Sequence, residues 1–129
     1  MGIKSELIEN YDYEIVEDFI DHLDIMSGVM EPNIMAMKND PSKVNELFRI
    51  FHNIKSASGF LNISKLNKVA HLSEDILDRL RESGDQPSDE LVDWMIVVSD
   101  QFQKWSEELS FDAQTLSAIN KEILNIPKG

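Results

Sequence analysis

This 129-residue chain contains no cysteine. Disulfides and thiolate metal sites are therefore excluded, and the composition fits a reducing compartment. Basic residues are scarce. Against 24 Asp and Glu stand only 12 Lys and Arg, a formal net charge of −12. Nucleic acids and anionic membranes select basic patches, so neither is an expected partner. No apolar run is long enough to cross a bilayer. The opening residues, Met1 to Asn10, lack the apolar stretch of a secretory signal, and Glu6 breaks the myristoylation pattern. The expected location is the cytoplasm. The chain has neither a Walker glycine loop nor a kinase glycine box, so no ATP site is expected. Glu-x-x-His and His-Glu-x-x-His are both missing, which removes the di-metal carboxylate bundle and leaves no expected metal. No segment alternates with the period of a strand.

What is present is helical periodicity. Hydrophobic residues make up 42% of the chain, enough for one globular domain over residues 1–129. Apolar residues repeat at steps of three and four over 13–38, and Gly28 and Pro32 predict a kink or break there. Asp40 and Pro41 are suited to start a helix over 41–60. Ser64 is an expected cap for a helix over 64–83, which Gly84 closes. Ser88 is suited to cap a helix over 88–109, and a last helix is expected over 112–124, with Leu116, Ile119 and Ile123 apolar. Short connections between long amphipathic helices predict an all-α, antiparallel up-down four-helix bundle with an additional C-terminal helix.

The stretch that carries chemistry lies in the helix over 41–60. At about 100° per residue, Leu47, Phe51, Ile54, Ser58 and Leu61 share one face, the buried stripe. Asn45, Arg49, His52, Ser56 and Gly59 share the other. Lys55 is one turn past His52. An exposed imidazole beside a cation, with only small side chains beyond it, suits a phosphoryl group carried on a ring nitrogen. Phosphoryl transfer is mostly positioning and charge stabilisation. Lys55 supplies the charge, and Ser56 and Gly59 supply open ground on which a partner's active site can close. Phe48, Arg49 and Asn45 are the candidate docking contacts around it.

Counting equal distances on both sides of a turn near Asn62 brings His71 and Glu74 level with His52. A carboxylate bonded to one ring nitrogen fixes the tautomer and frees the other nitrogen to attack. Glu74 is therefore the expected orienting group, with His71 flanking the site.

The run His52-Asn-Ile-Lys55-Ser-Ala-Ser-Gly59-Phe60-Leu61-Asn62 resembles the signature of the histidine phosphotransfer (HPt) family. Ser56 and Asn62 stand where that family most often has glycine. His52-x-x-Lys55 followed by His71-x-x-Glu74-x-x-Leu77-x-x-x-Arg81 is similar to the N-terminal phosphotransfer domain of chemotaxis-type (CheA) histidine kinases. The resemblance covers roughly residues 13 to 124. It implies that His52 is the phosphorylated residue and that Lys55, His71 and Glu74 are its neighbours. It also implies a carrier rather than an autonomous enzyme. A histidine kinase domain would donate the phosphoryl group and a response regulator receiver domain would accept it, with magnesium supplied by those partners. The competing reading is a helical adaptor that docks a receiver or kinase without carrying phosphate. Whether the chain stands alone or forms the start of a longer kinase is open at this point.

Overall fold

The computed structural model describes residues 2–127. Five α-helices follow in order: α1 (Ile3–Asn10), α2 (Tyr13–Ala36), α3 (Ser42–Phe60), α4 (Ser64–Ser83) and α5 (Asp89–Ser110). The last four form an antiparallel bundle. α3 and α4 make the tightest pair, α2 packs on α5 and on α3, and α1 lies against α2 and α5. Helix α1, within the opening residues, carries no signal that periodicity alone reveals.

Local chemistry sets most of the ends. The Asp12 carboxylate accepts the Glu14 N–H at 2.8 Å, starting α2. Asp40 accepts the Ser42 N–H at 3.0 Å before α3. Ser88 accepts the Leu91 N–H at 3.1 Å before α5. Such caps satisfy N–H groups that a helix end otherwise leaves unpaired. Ser64 does not cap α4 as expected. Ile63 holds that position with no side-chain bond, and Ser64 is the first helical residue. The turn before it explains the difference. Asn62 sits in the left-handed region at φ 58°, and the N–H groups of Ile63 and Asn62 bond back to the carbonyls of Ser58 and Gly59 at 2.8 and 3.2 Å. That closure delivers the chain directly into α4. Gly84 ends α4 in the same left-handed region, at φ 71°.

No break occurs near Gly28 and Pro32: α2 is continuous from Tyr13 to Ala36. Proline removes one donor and crowds the carbonyl four residues back. Here that carbonyl belongs to Gly28, and both residues face solvent, so water can replace the lost bond. Met30 and Ile34, on the opposite side of the helix, are fully buried and hold it in register.

The core centres on Phe51, Phe102 and Trp105, all fully buried. Their rings meet at 5.8 Å (Phe51–Phe102) and 5.3 Å (Phe102–Trp105), the latter edge to face. Burying each such side chain contributes roughly 1.5–3 kcal/mol. With Leu47 and Ile54 also at zero exposure, the inner face of α3 is fixed against the bundle, which sets the direction of its outer face.

The C-terminal segment departs from expectation. The anticipated helix over 112–124 is reduced to one 3-10 turn, Lys121–Leu124. The residues before it run as an irregular strap along α5. The Trp105 indole donates to the Ser117 carbonyl at 2.9 Å, and the Trp94 indole donates to the Ile123 carbonyl at 3.0 Å. Gln101 accepts the Asn120 N–H at 2.7 Å, and Glu108 accepts the Ser117 N–H at 2.9 Å. A helix would take the Ser117 carbonyl into its own ladder and orphan the buried Trp105 indole, at a cost of about 1–3 kcal/mol. Asp112, at φ 54°, bends the chain out of α5 and accepts the Ser5 N–H at 3.0 Å, tying the strap to the start of α1.

Candidate functional site

The bundle brings His52, Lys55 and Glu74 together. α3 turns His52 outward, with its side chain half exposed. α4 runs antiparallel beside it and places Glu74 level with the ring, 12% exposed. His52 Nδ1 lies 2.8 Å from Glu74 Oε2, and Lys55 Nζ donates to Glu74 Oε1 at 2.8 Å. One carboxylate thus links both residues of the His-x-x-Lys motif.

The protonation pattern follows from the partners. Burial pushes the Glu74 carboxyl up, but hydrogen bonds from Lys55 and His52 more than reverse this and hold it below the usual carboxylate range. At neutral pH Glu74 is ionised and only accepts. The hydrogen in its bond to His52 therefore sits on Nδ1. In the neutral ring Nε2 then carries the lone pair, and among the described residues no group bonds to it.

A depressed carboxylate pKa contributes stability that is fully present above the unfolded value, near 4.5 here, and is lost as pH falls through the folded value. The stability difference between the native chain and Glu74→Gln should therefore be constant near neutrality and shrink below about pH 4.5. Urea midpoints measured across that range check it; a difference that grows toward acid would contradict the sign.

Lys55 is half-buried and anchored on the carboxylate rather than standing free in solvent. Ser56 and Gly59 are exposed, as are Arg49 and Asn45. His71 is not brought to the site. It points out from α4 and pairs with Asp75 at 3.4 Å, both well exposed. Phe48 is no open contact. It stacks on the His52 ring, with centroids 6.1 Å apart and planes at 17°, and Arg81 covers it.

Asn67 escaped the sequence reading. Its amide donates to the Lys55 carbonyl at 2.8 Å, clamping α3 to α4 one turn below His52. Gly59 makes room for it, since a Cβ there would lie 3.2 Å from Asn67 Nδ2. The same mirror counting about Asn62 that singles out Glu74 would have placed Asn67 opposite this turn of α3.

The family model described as the Hpt domain matches residues 14–119, a span that takes in all but the first residue of the four-helix bundle and His52, Lys55, Asn67 and Glu74. The chain belongs to the Hpt domain family. Known relatives of this Hpt domain point the same way. It is 27% identical over 94 residues to the chemotaxis protein CheA of Borreliella burgdorferi, covering 70% of this chain and 11% of that protein. It is 33% identical over 72 residues to the sensor histidine kinase CheAY of Helicobacter pylori, covering 54% and 9%. It is 25% identical over 99 residues to CheA of Treponema pallidum, covering 74% and 12%. The Hpt domain thus spans about a tenth of the length of these relatives. No solved structure gives a significant match. The chain is a phosphorelay module of the Hpt type, related to the N-terminal phosphotransfer domain of CheA-type proteins. No helix among the described residues is long and apolar enough to cross a membrane.

Proposed function

We propose that this domain carries a phosphoryl group on Nε2 of His52, received from a histidine kinase catalytic domain and passed to an aspartate of a receiver domain. The observation that carries the proposal is the bond between His52 Nδ1 and Glu74, which leaves the second ring nitrogen of a half-exposed side chain unbonded among the described residues. The Nε2 lone pair forms the N–P bond as the bond from phosphorus to the donor's leaving oxygen breaks. Positive charge then develops on the ring, and the Nδ1–H faces the Glu74 carboxylate, which offsets it. In the reverse direction the same ring is the leaving group, and the receiver's carboxylate oxygen attacks. Lys55 holds Glu74 in place and adds a cation beside the incoming phosphoryl oxygens.

The chain acts as a single carrier module in this reading. Ser56, Arg49 and Asn45 are exposed on the same helix as His52, and their part in this reading is that of contacts. The experiment is direct. Incubation with a CheA-type kinase domain and γ-labelled ATP should place an acid-labile, alkali-stable label on the chain. Phosphorus NMR should assign it to Nε2, and addition of a receiver domain should remove it. A chain that binds both partners but takes no label is an adaptor, and the carrier reading falls.

A further inference from the structure

The His52 ring is held at two places. Glu74 takes Nδ1, and a single hydrogen bond leaves a ring free to pivot about it. The flat face of Phe48 removes that freedom, lying 17° from parallel at a centroid distance of 6.1 Å. Offset stacking at such distances is favourable for aromatic rings. Phe48 is in turn held from α4. The guanidinium carbon of Arg81 sits 4.0 Å over the Phe48 centroid, the geometry of a cation–π contact. Asp78, one turn earlier on α4, fixes that guanidinium through a bond from Nη2 at 2.6 Å. Guanidinium, phenyl and imidazole form a continuous line of contacts from α4 to the reactive ring.

We propose that Arg81 is a positioning residue that locks the His52 ring through Phe48, so that Nε2 faces the phosphoryl donor in one direction. The inference rests on the reading of His52 as the phosphoryl carrier. Lys55 cannot take this part, because its ammonium is engaged on Glu74. A leucine at position 48 would fill similar space but offer no flat face. Arg81 therefore acts on the reaction at one remove, with Phe48 between.

The test uses phosphoramidate, a small donor with no docking surface, on the full chain. The Nε2 lone pair bonds to phosphorus, the donor's P–N bond breaks, and its protonated nitrogen leaves as ammonia. Arg81→Ala should slow labelling about two- to fivefold, the size that a partly exposed cation–π contact supports, with a urea midpoint lowered by no more than that one contact accounts for. Arg81→Lys should restore most of the rate, because an ammonium also binds an aromatic face, and Arg81→Gln should not. Phe48→Leu should slow labelling about three- to tenfold, and Arg81→Ala in that background should add nothing. Side-chain couplings of His52 by NMR should report one ring orientation in the native chain and averaging in Arg81→Ala. Equal labelling of native and Arg81→Ala chains overturns the inference while leaving His52 as the carrier. So does an Arg81→Ala effect that persists undiminished without Phe48. A native chain that takes no label overturns both together.

Discussion

Replacing His52 by glutamine should abolish phosphoryl uptake altogether while leaving the helix content and unfolding midpoint nearly unchanged. Glutamine has a similar length and an amide that can still meet Glu74. It offers no ring nitrogen with a free lone pair, so no N–P bond can form. The side chain is half exposed and outside the core, so its loss leaves no cavity. The chain's other histidines, His22 and His71, remain in the variant and act as internal controls. Kinase-dependent labelling, read by acid lability, checks the expectation. Labelling at the native rate in His52→Gln would place the chemistry on another residue and remove His52 from the reaction.

The next largest effect is expected at Glu74. Glu74→Gln should slow labelling about ten- to a hundredfold, by analogy with the loss when the carboxylate orienting a metal-bound histidine is removed. The two side chains have nearly the same shape and differ in what they offer the ring. A carboxylate accepts only, so it dictates hydrogen on Nδ1. An amide can present its NH2 to Nδ1 instead, which moves the ring hydrogen to Nε2 and removes the nucleophile. The amide also carries no charge to offset the cationic ring during transfer, and it releases Lys55 from its anchor. Pre-steady-state labelling rates with phosphoramidate separate this from any change in kinase docking. A variant that labels as fast as the native chain would remove Glu74 from the reaction and leave it a structural ion-pair partner.

Much of the site could be read without coordinates because it lies within one helical hairpin. Two facts carry most of it: the wheel that turns His52 outward, and the short turn at Asn62 that sets the register between α3 and α4. Given that register, Glu74 has to fall opposite His52. His71 shares the level but not the face, and a count of residues along a hairpin is blind to that difference. The Phe48–His52 stack and its Arg81 cover were hidden for a related reason. Spacing shows which residues are neighbours, whereas the stack depends on the rotamers they adopt. The C-terminal strap was the largest misreading of shape. Leu116, Ile119 and Ile123 recur at helical steps, and an irregular segment laid along α5 can bury the same residues. The decision lies in the indole donor of Trp105, which needs the Ser117 carbonyl that a regular helix would not leave free. α1 is likewise held by contacts from outside, through Asp112 and the strap, rather than by a pattern of its own.

That strap gives the molecule a built-in optical gauge. Both tryptophans of the chain donate to its carbonyls. Indole emission depends on the polarity around the ring, so ultraviolet fluorescence from this protein reports how firmly the strap is zipped to α5. The bonds of His52 and Lys55 run instead to Glu74 on α4. The two indoles therefore report first on the strap and are not bonded to the groups that hold the histidine.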